Sequence, residues 1–152
     1  MMELIDSEKV TWSHMVPTQF RRILEAVPPE RRGDYEVSQL RAMVHAAAPC
    51  PPEVKRQMID WWGEVLVEYW GATEGGTTTL VGSADWLAHP GTVGRALPSF
   101  EVFAVDDKGE RLPPGEVGVL YCRHRHLSQS PSKKHCLPRL PRYRCLPCWA
   151  DC

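Results

Sequence analysis

Val65-Leu66-Val67-Glu68-Tyr69-Trp70-Gly71-Ala72-Thr73-Glu74-Gly75-Gly76 is the stretch whose reading decides the fold of this chain. Its opening residues are strand-favouring, and the run breaks at Gly71. A strand end that opens into a glycine-containing loop is where α/β proteins place ligand groups. Glycine lets backbone approach a ligand closely, a threonine hydroxyl bonds a phosphate oxygen, a neighbouring carboxylate holds Mg²⁺, and an aromatic ring stacks on a base. The same residues also suit a strand followed by a polar turn with an exposed glutamate, so spacing alone leaves both readings open. Gly75-Gly76-Thr77-Thr78-Thr79 is not a Walker-type phosphate cradle, which needs a lysine after its last glycine and a following helix. Thr77 to Val81 reads instead as a strand.

Working outward, Glu53 to Trp62 has helical spacing, with Val54, Met58 and Trp61 or Trp62 on one face, Lys55, Arg56 and Asp60 elsewhere, and Gly63 as its stop. Leu40 to Ala48 is short, apolar and rich in small residues, which fits a buried strand ending in a loop at Pro49-Cys50-Pro51-Pro52. Pro17 followed by Thr18 to Val27 predicts another helix: Phe20, Ile23, Leu24 and Val27 recur at helical spacing, and Pro28-Pro29 cannot continue it. Downstream, Phe100 to Val105 and Val117 to Tyr121 read as paired strands around the turn Asp106-Asp107-Lys108-Gly109. This order predicts an α/β fold, a mixed sheet with flanking helices plus a C-terminal hairpin.

The 152 residues and net charge of −1 suit one domain and argue against a general nucleic-acid binder. No run approaches the roughly 20 apolar residues of a membrane helix. Met1 to Glu8 carries acids where a signal peptide would be basic and then apolar, so the expectation is a cytoplasmic chain without a membrane span. The near-neutral total hides a split. Residues 1–121 carry 11 Lys/Arg against 18 Asp/Glu, whereas residues 122–152 carry 7 against one and hold five of the six cysteines. Cys145-Leu146-Pro147-Cys148 has the spacing of half a zinc site, which Cys136, Cys152 or His135 would complete. Zinc beside so many basic residues would make a small non-catalytic zinc- or nucleic-acid-binding protein. A disordered, frameshifted or read-through tail accounts better for the abrupt change, since no second Cys-x-x-Cys and no hairpin pattern accompany the first.

The quoted stretch resembles the adenylate-binding signature of the adenylate-forming (AMP-binding) enzymes, in their fatty-acyl-CoA synthetase branch: aromatic-Gly-x-Thr-Glu, here Trp70-Gly71-Ala72-Thr73-Glu74. Three more segments match in order. They are His45-Ala46-Ala47-Ala48-Pro49, Pro90-Gly91-Thr92-Val93-Gly94-Arg95, and Leu112-Pro113-Pro114-Gly115-Glu116-Val117-Gly118. The resemblance covers about residues 10–121. It implies a partial AMP-binding domain over 1–121, a fragment of the large N-terminal domain of such an enzyme, followed by the basic Cys/His/Pro-rich tail 122–152.

The implied activity is ATP-dependent conversion of a fatty acid to acyl-AMP and its transfer to CoA, with ATP/AMP, Mg²⁺ and CoA as cofactors and co-substrates. By the same resemblance Thr73 bonds the α-phosphate and Glu74 holds Mg²⁺, the two catalytic residues. Ala47, Ala48, Pro49, Glu68, Tyr69, Trp70 and Gly71 join Thr73 around the nucleotide, Trp70 with Tyr69 stacking on adenine. His45, Ala46 and Gly75 border the acyl channel. Glu68 stands where many relatives carry Asn or Gln; a carboxylate only accepts, so it suits the adenine amino group alone. The residues around His45 fit a buried, satisfied histidine equally well.

The family's phosphate loop ending in Pro-Lys, its ribose-binding Asp in a Tyr-Arg-Thr-Gly-Asp-type stretch and its C-terminal domain with a catalytic Lys have no counterpart in these residues. Cationic stabilisation of the transferring phosphoryl group dominates such chemistry. The expectation is therefore a polypeptide that does not make acyl-CoA alone. Strands cut from a larger sheet leave open edges, which implies poor solubility or dependence on a complementing chain.

Overall fold

The computed structural model describes residues 1–72, 76–113, 116 and 118–125. Thr73, Glu74 and Gly75 lie outside the described residues, as do the tail cysteines Cys136, Cys145, Cys148 and Cys152 and His135 of the zinc reading.

The elements run α1 (Met2–Ser7), β1 (Trp12–Met15), α2 (Pro17–Ala26), a 3₁₀ turn (Pro29–Asp34), β2 (Ala42–His45), α3 (Pro52–Trp62), β3 (Leu66–Ala72), β4 (Gly76–Gly82), α4 (Ser83–Ala88), β5 (Arg95–Ala96), β6 (Phe100–Val105) and β7 (Val119–His124). One sheet has the order β1-β2-β3-β4-β5, parallel from β1 to β3 and antiparallel between β4 and β5. A second sheet is the antiparallel pair β6-β7. The α/β class with a mixed sheet, flanking helices and a hairpin is as expected. The chain divides into two compact units, one of Met1–Tyr69 and Val81–Gly91, the other of Trp70–Leu80 and Thr92 onward.

In the first unit, parallel register places Met15 beside His45, Met43 beside Leu66, and His45 beside Glu68. Side chains alternate across a strand, so these residues share one face of the sheet. That face is the buried one: Met15, Met43, His45 and Leu66 are each 0–1% exposed. Phe20 from α2 and Met58 and Trp62 from α3 belong to the same core, and Phe20 meets Trp62 edge-on at 6.0 Å. α2 starts at Pro17 because proline suits the first helical position, and Gln19 Oε1 accepts the Val16 N–H at 2.8 Å. α3 likewise starts at Pro52 and ends at Gly63, whose φ of 81° a side chain would oppose.

Three expectations are corrected. The strand expected over Leu40 to Ala48 is only Ala42–His45, because Ala47 turns to a left-handed φ of 73°. β3 does not break at Gly71 but runs through it to Ala72. Lys55 is not on the outer face of α3: the buried seam is Lys55, Met58, Ile59 and Trp62, spaced i, i+3, i+4, i+7.

In the second unit β6 and β7 pair over six positions, from Phe100 with His124 to Val105 with Val119. Asp106 Oδ1 accepts the N–H groups of Lys108 and Glu110, closing the expected turn. β7 carries Cys122, Arg123 and His124 in register beyond the change of composition at residue 121.

Candidate functional site

In an open parallel sheet, ligands bind beyond the carboxyl ends of the strands. In the first unit β2 ends at His45, whose register partner is Glu68, the third residue of β3. The loop that leaves His45 carries Ala46, buried, and then Ala47, Ala48 and Pro49, all exposed. An alanine at positive φ costs about 1–2 kcal/mol, and such strain persists only where surrounding structure imposes it. Small side chains there leave room beside the strand ends.

Behind this loop lies a charged cluster within the core. Lys55 is 0% exposed, and its Nζ donates to Glu68 Oε2 at 2.6 Å. The same ammonium sits 4.9 Å from the centre of the Trp86 ring of α4, a cation–π contact. His45 Nε2 is 3.9 Å from Glu68 Oε2, too far for a hydrogen bond, and neither ring nitrogen has a hydrogen-bond partner among the described residues. The His45 ring packs edge-on against Phe20 at 5.3 Å.

Burial is the first cause of every shift here. It holds the His45 pKa down to about 3 and pushes the Cys50 thiol up to about 12. It also pulls Lys55 below the ordinary amine value and lifts Glu68 above the ordinary carboxylate value, outweighing the attraction between them on both sides. His45 is therefore buried but unsatisfied, an uncharged ring in a packed core.

Strand alternation separates the remaining residues of the motif. Tyr69 is on the face opposite Glu68, and its hydroxyl lies 3.3 Å from His14 Nε2 on β1. At the start of β3, Ser83 Oγ accepts the Leu66 N–H and donates to the Leu66 carbonyl, both at 3.0 Å, which fixes where the strand begins.

In the second unit, Trp70 and Gly71 continue β3. Thr78 Oγ1 of β4 donates to the Trp70 carbonyl at 2.8 Å. A Cβ on Gly71 would overlap the carbonyl oxygen of Gly76, so only glycine fits where the two strands approach. Close backbone approach thus accounts for the glycine of the motif without any ligand. Thr79 Oγ1 donates to the Val93 carbonyl at 2.6 Å, tying β4 to the Pro90–Arg95 segment.

Of the expected site residues, the first unit holds His45, Ala46, Ala47, Ala48, Pro49, Glu68 and Tyr69, and the second Trp70 and Gly71; Thr73, Glu74 and Gly75 are the ones outside the described residues. Lys55 and Trp86 were not expected. The i, i+3, i+4, i+7 seam containing position 55 was the available signal for the first, since it places a lysine where an apolar residue belongs. Among the described residues no group of three or more His, Cys, Asp or Glu is placed to hold a metal ion, and no helix is long and apolar enough to cross a membrane.

The architecture is part of an adenylate-forming enzyme domain. Amide bond synthetase McbA from Marinactinospora thermotolerans superposes at a TM-score of 0.72 and 29% identity, over 81% of this chain and 25% of that one. In sequence, acetyl-coenzyme A synthetase of Bacillus subtilis (strain 168) is 29% identical over 107 residues, 70% of this chain and 18% of that protein. Mitochondrial medium-chain acyl-CoA ligase ACSF2 of Danio rerio is 31% identical over 127 residues, 80% of this chain and 20% of its own length. The AMP-binding enzyme family model matches residues 1–130, and the chain belongs to that family. It spans a fifth or less of these two relatives, so it corresponds to a fragment of an acyl-CoA-synthetase-type protein.

Proposed function

We propose that these residues form the adenylate-binding portion of an ATP-dependent acyl-CoA synthetase. In the full reaction a carboxylate oxygen attacks the α-phosphorus of ATP, pyrophosphate leaves, and the acyl-AMP then passes its acyl group to the thiol of CoA. A fatty acid is the proposed substrate. Ala47, Ala48 and Pro49 bound the nucleotide, Trp70 offers its ring to adenine, and Thr73 donates to the α-phosphate. Glu74 is the proposed Mg²⁺ ligand, the ion supplying neutralisation of phosphate charge when bound. Gly75, with His45 and Ala46 behind the loop, borders the acyl side.

One observation carries this reading: exposed small residues, with Ala47 held at φ 73°, follow the carboxyl end of β2, a strand that runs parallel to β3. The site residues proposed here bind adenylate without completing turnover, because none of them is a cation that could stabilise a transferring phosphoryl group.

Titrating the purified chain with AMP, read by tryptophan fluorescence, tests the first part. Binding that disappears in Thr73→Ala supports it, and binding untouched by that change refutes it. Incubation with ATP, a fatty acid and CoA tests the second, where steady AMP release would overturn the proposed inactivity.

A further inference from the structure

The segment from His45 to Lys55 contains the loop Ala46–Pro49, exposed from Ala47 onward, and the first turn of α3. Both of its ends meet one residue. His45 is the register partner of Glu68 in the sheet, and Lys55 donates to the Glu68 carboxylate at 2.6 Å. The loop is thus closed at its base by a backbone ladder on one side and a single side-chain bond on the other. Glu68 is 8% exposed, and the oxygen that binds Lys55 is also the one nearest His45. From these contacts we infer that Lys55 is a positioning residue: acting through Glu68, it sets the placement of the Ala46–Pro49 loop, and the Glu68 carboxylate is turned to the protein interior and not to an adenine edge. The inference rests on the adenylate-binding reading only for what the loop is placed to do.

Energetics supports a placing role. Burial of both groups opposes their charged forms, so the attraction within the pair is offset by the cost of taking two charges out of water. Apolar residues of similar volume would fill the same space without that cost. What they would not reproduce is a directed bond from α3 to one atom of β3. Trp86 also holds the ammonium, which lies 4.9 Å from its ring centre, and this second contact restrains the lysine tip.

The test compares three forms of the whole chain: wild type, Lys55→Met/Glu68→Leu, and Lys55→Gln/Glu68→Gln. Backbone ¹⁵N order parameters are read at Ala46, Ala47, Ala48 and Tyr69 and, as core references, at Met43 and Leu66. AMP affinity is measured in parallel. In the apolar pair the loop order parameters are expected to fall from about 0.85 towards 0.6 while Met43 and Leu66 stay rigid. AMP binding should weaken about tenfold. The neutral pair keeps a hydrogen bond and should restore both. A loop as ordered in the apolar pair as in wild type overturns the inference. So does disorder that spreads to Met43 and Leu66, or a neutral pair no better than the apolar one. Wild-type chain that binds no AMP defeats the functional reading instead, and the order parameters still decide the role of Lys55.

Discussion

Lys55→Met is the change whose cost the structure predicts most sharply. It keeps most of the length of the side chain and removes the charge, leaving Glu68, a residue only 8% exposed, without its cation. Breaking a buried pair by removing one partner costs about 3–5 kcal/mol, because a bare charge is left in the core. A domain is stable by only about 5–15 kcal/mol, so the variant loses a large share of its margin. Removing both charges in Lys55→Met/Glu68→Leu should leave stability unchanged or raise it by about 1–4 kcal/mol.

The pH dependence follows from the direction of the Glu68 shift. Its folded-state value already lies above 4.5, and loss of Lys55 removes the groups that lower it. The folded single variant then holds a proton at pH values where the unfolded chain does not. Its stability deficit against wild type shrinks as pH falls from neutrality towards 4.5. Urea melts at both ends of that range measure this. A deficit below about 1 kcal/mol at neutral pH, the scale of a surface pair, would refute the assignment of a desolvated ion pair. A deficit that grows on acidification would do the same.

Gly71→Ala forces a Cβ into the Gly76 carbonyl oxygen, and thermal melts should show a loss of about 1–3 kcal/mol. Ala47→Gly relieves a left-handed alanine at the expense of a more flexible unfolded chain, for a net gain of up to about 1 kcal/mol in urea melts. His45 keeps a folded pKa of about 3 against 6.5, so the unfolded chain binds the extra proton in that window. Stability is then lost as pH falls from 6.5 towards 3, by about 1.4 kcal/mol per unit in mid-window. His45→Phe should flatten that part of the curve, and an unchanged acid slope would place the titration elsewhere.

What the sequence made legible was what local periodicity controls. The Pro17 start, the Gly63 stop, the Phe20-Ile23 face and the Asp106 turn all act within a few residues, and each is found in the structure. β1 and β5, at four residues and two, are too short to carry a period. Lys55 was misplaced for a different reason. The charge of Lys55 points to solvent while its register points to the core, and the helix puts position 55 on its buried seam, where an acidic partner on β3 meets it. No pattern inside α3 reveals a partner on another element. The order of the motif segments was legible as a family signature, but which way each side chain turns was not.

That limit has a structural cause. Glu68-Tyr69-Trp70 reads as a continuous run of nucleotide contacts, yet consecutive residues of a strand project to opposite faces. Glu68 goes inward to Lys55 and Tyr69 goes the other way, to His14. One ligand at the strand end therefore cannot be served equally by both, and a linear motif overcounts the residues that touch it. The exposed loop residues Ala47 and Ala48 escape this constraint, because a loop beyond a strand end has no alternation to obey. On the proposed adenylate-binding reading, recognition in the first unit would accordingly fall on the loop, and the buried pair would matter through where it holds that loop.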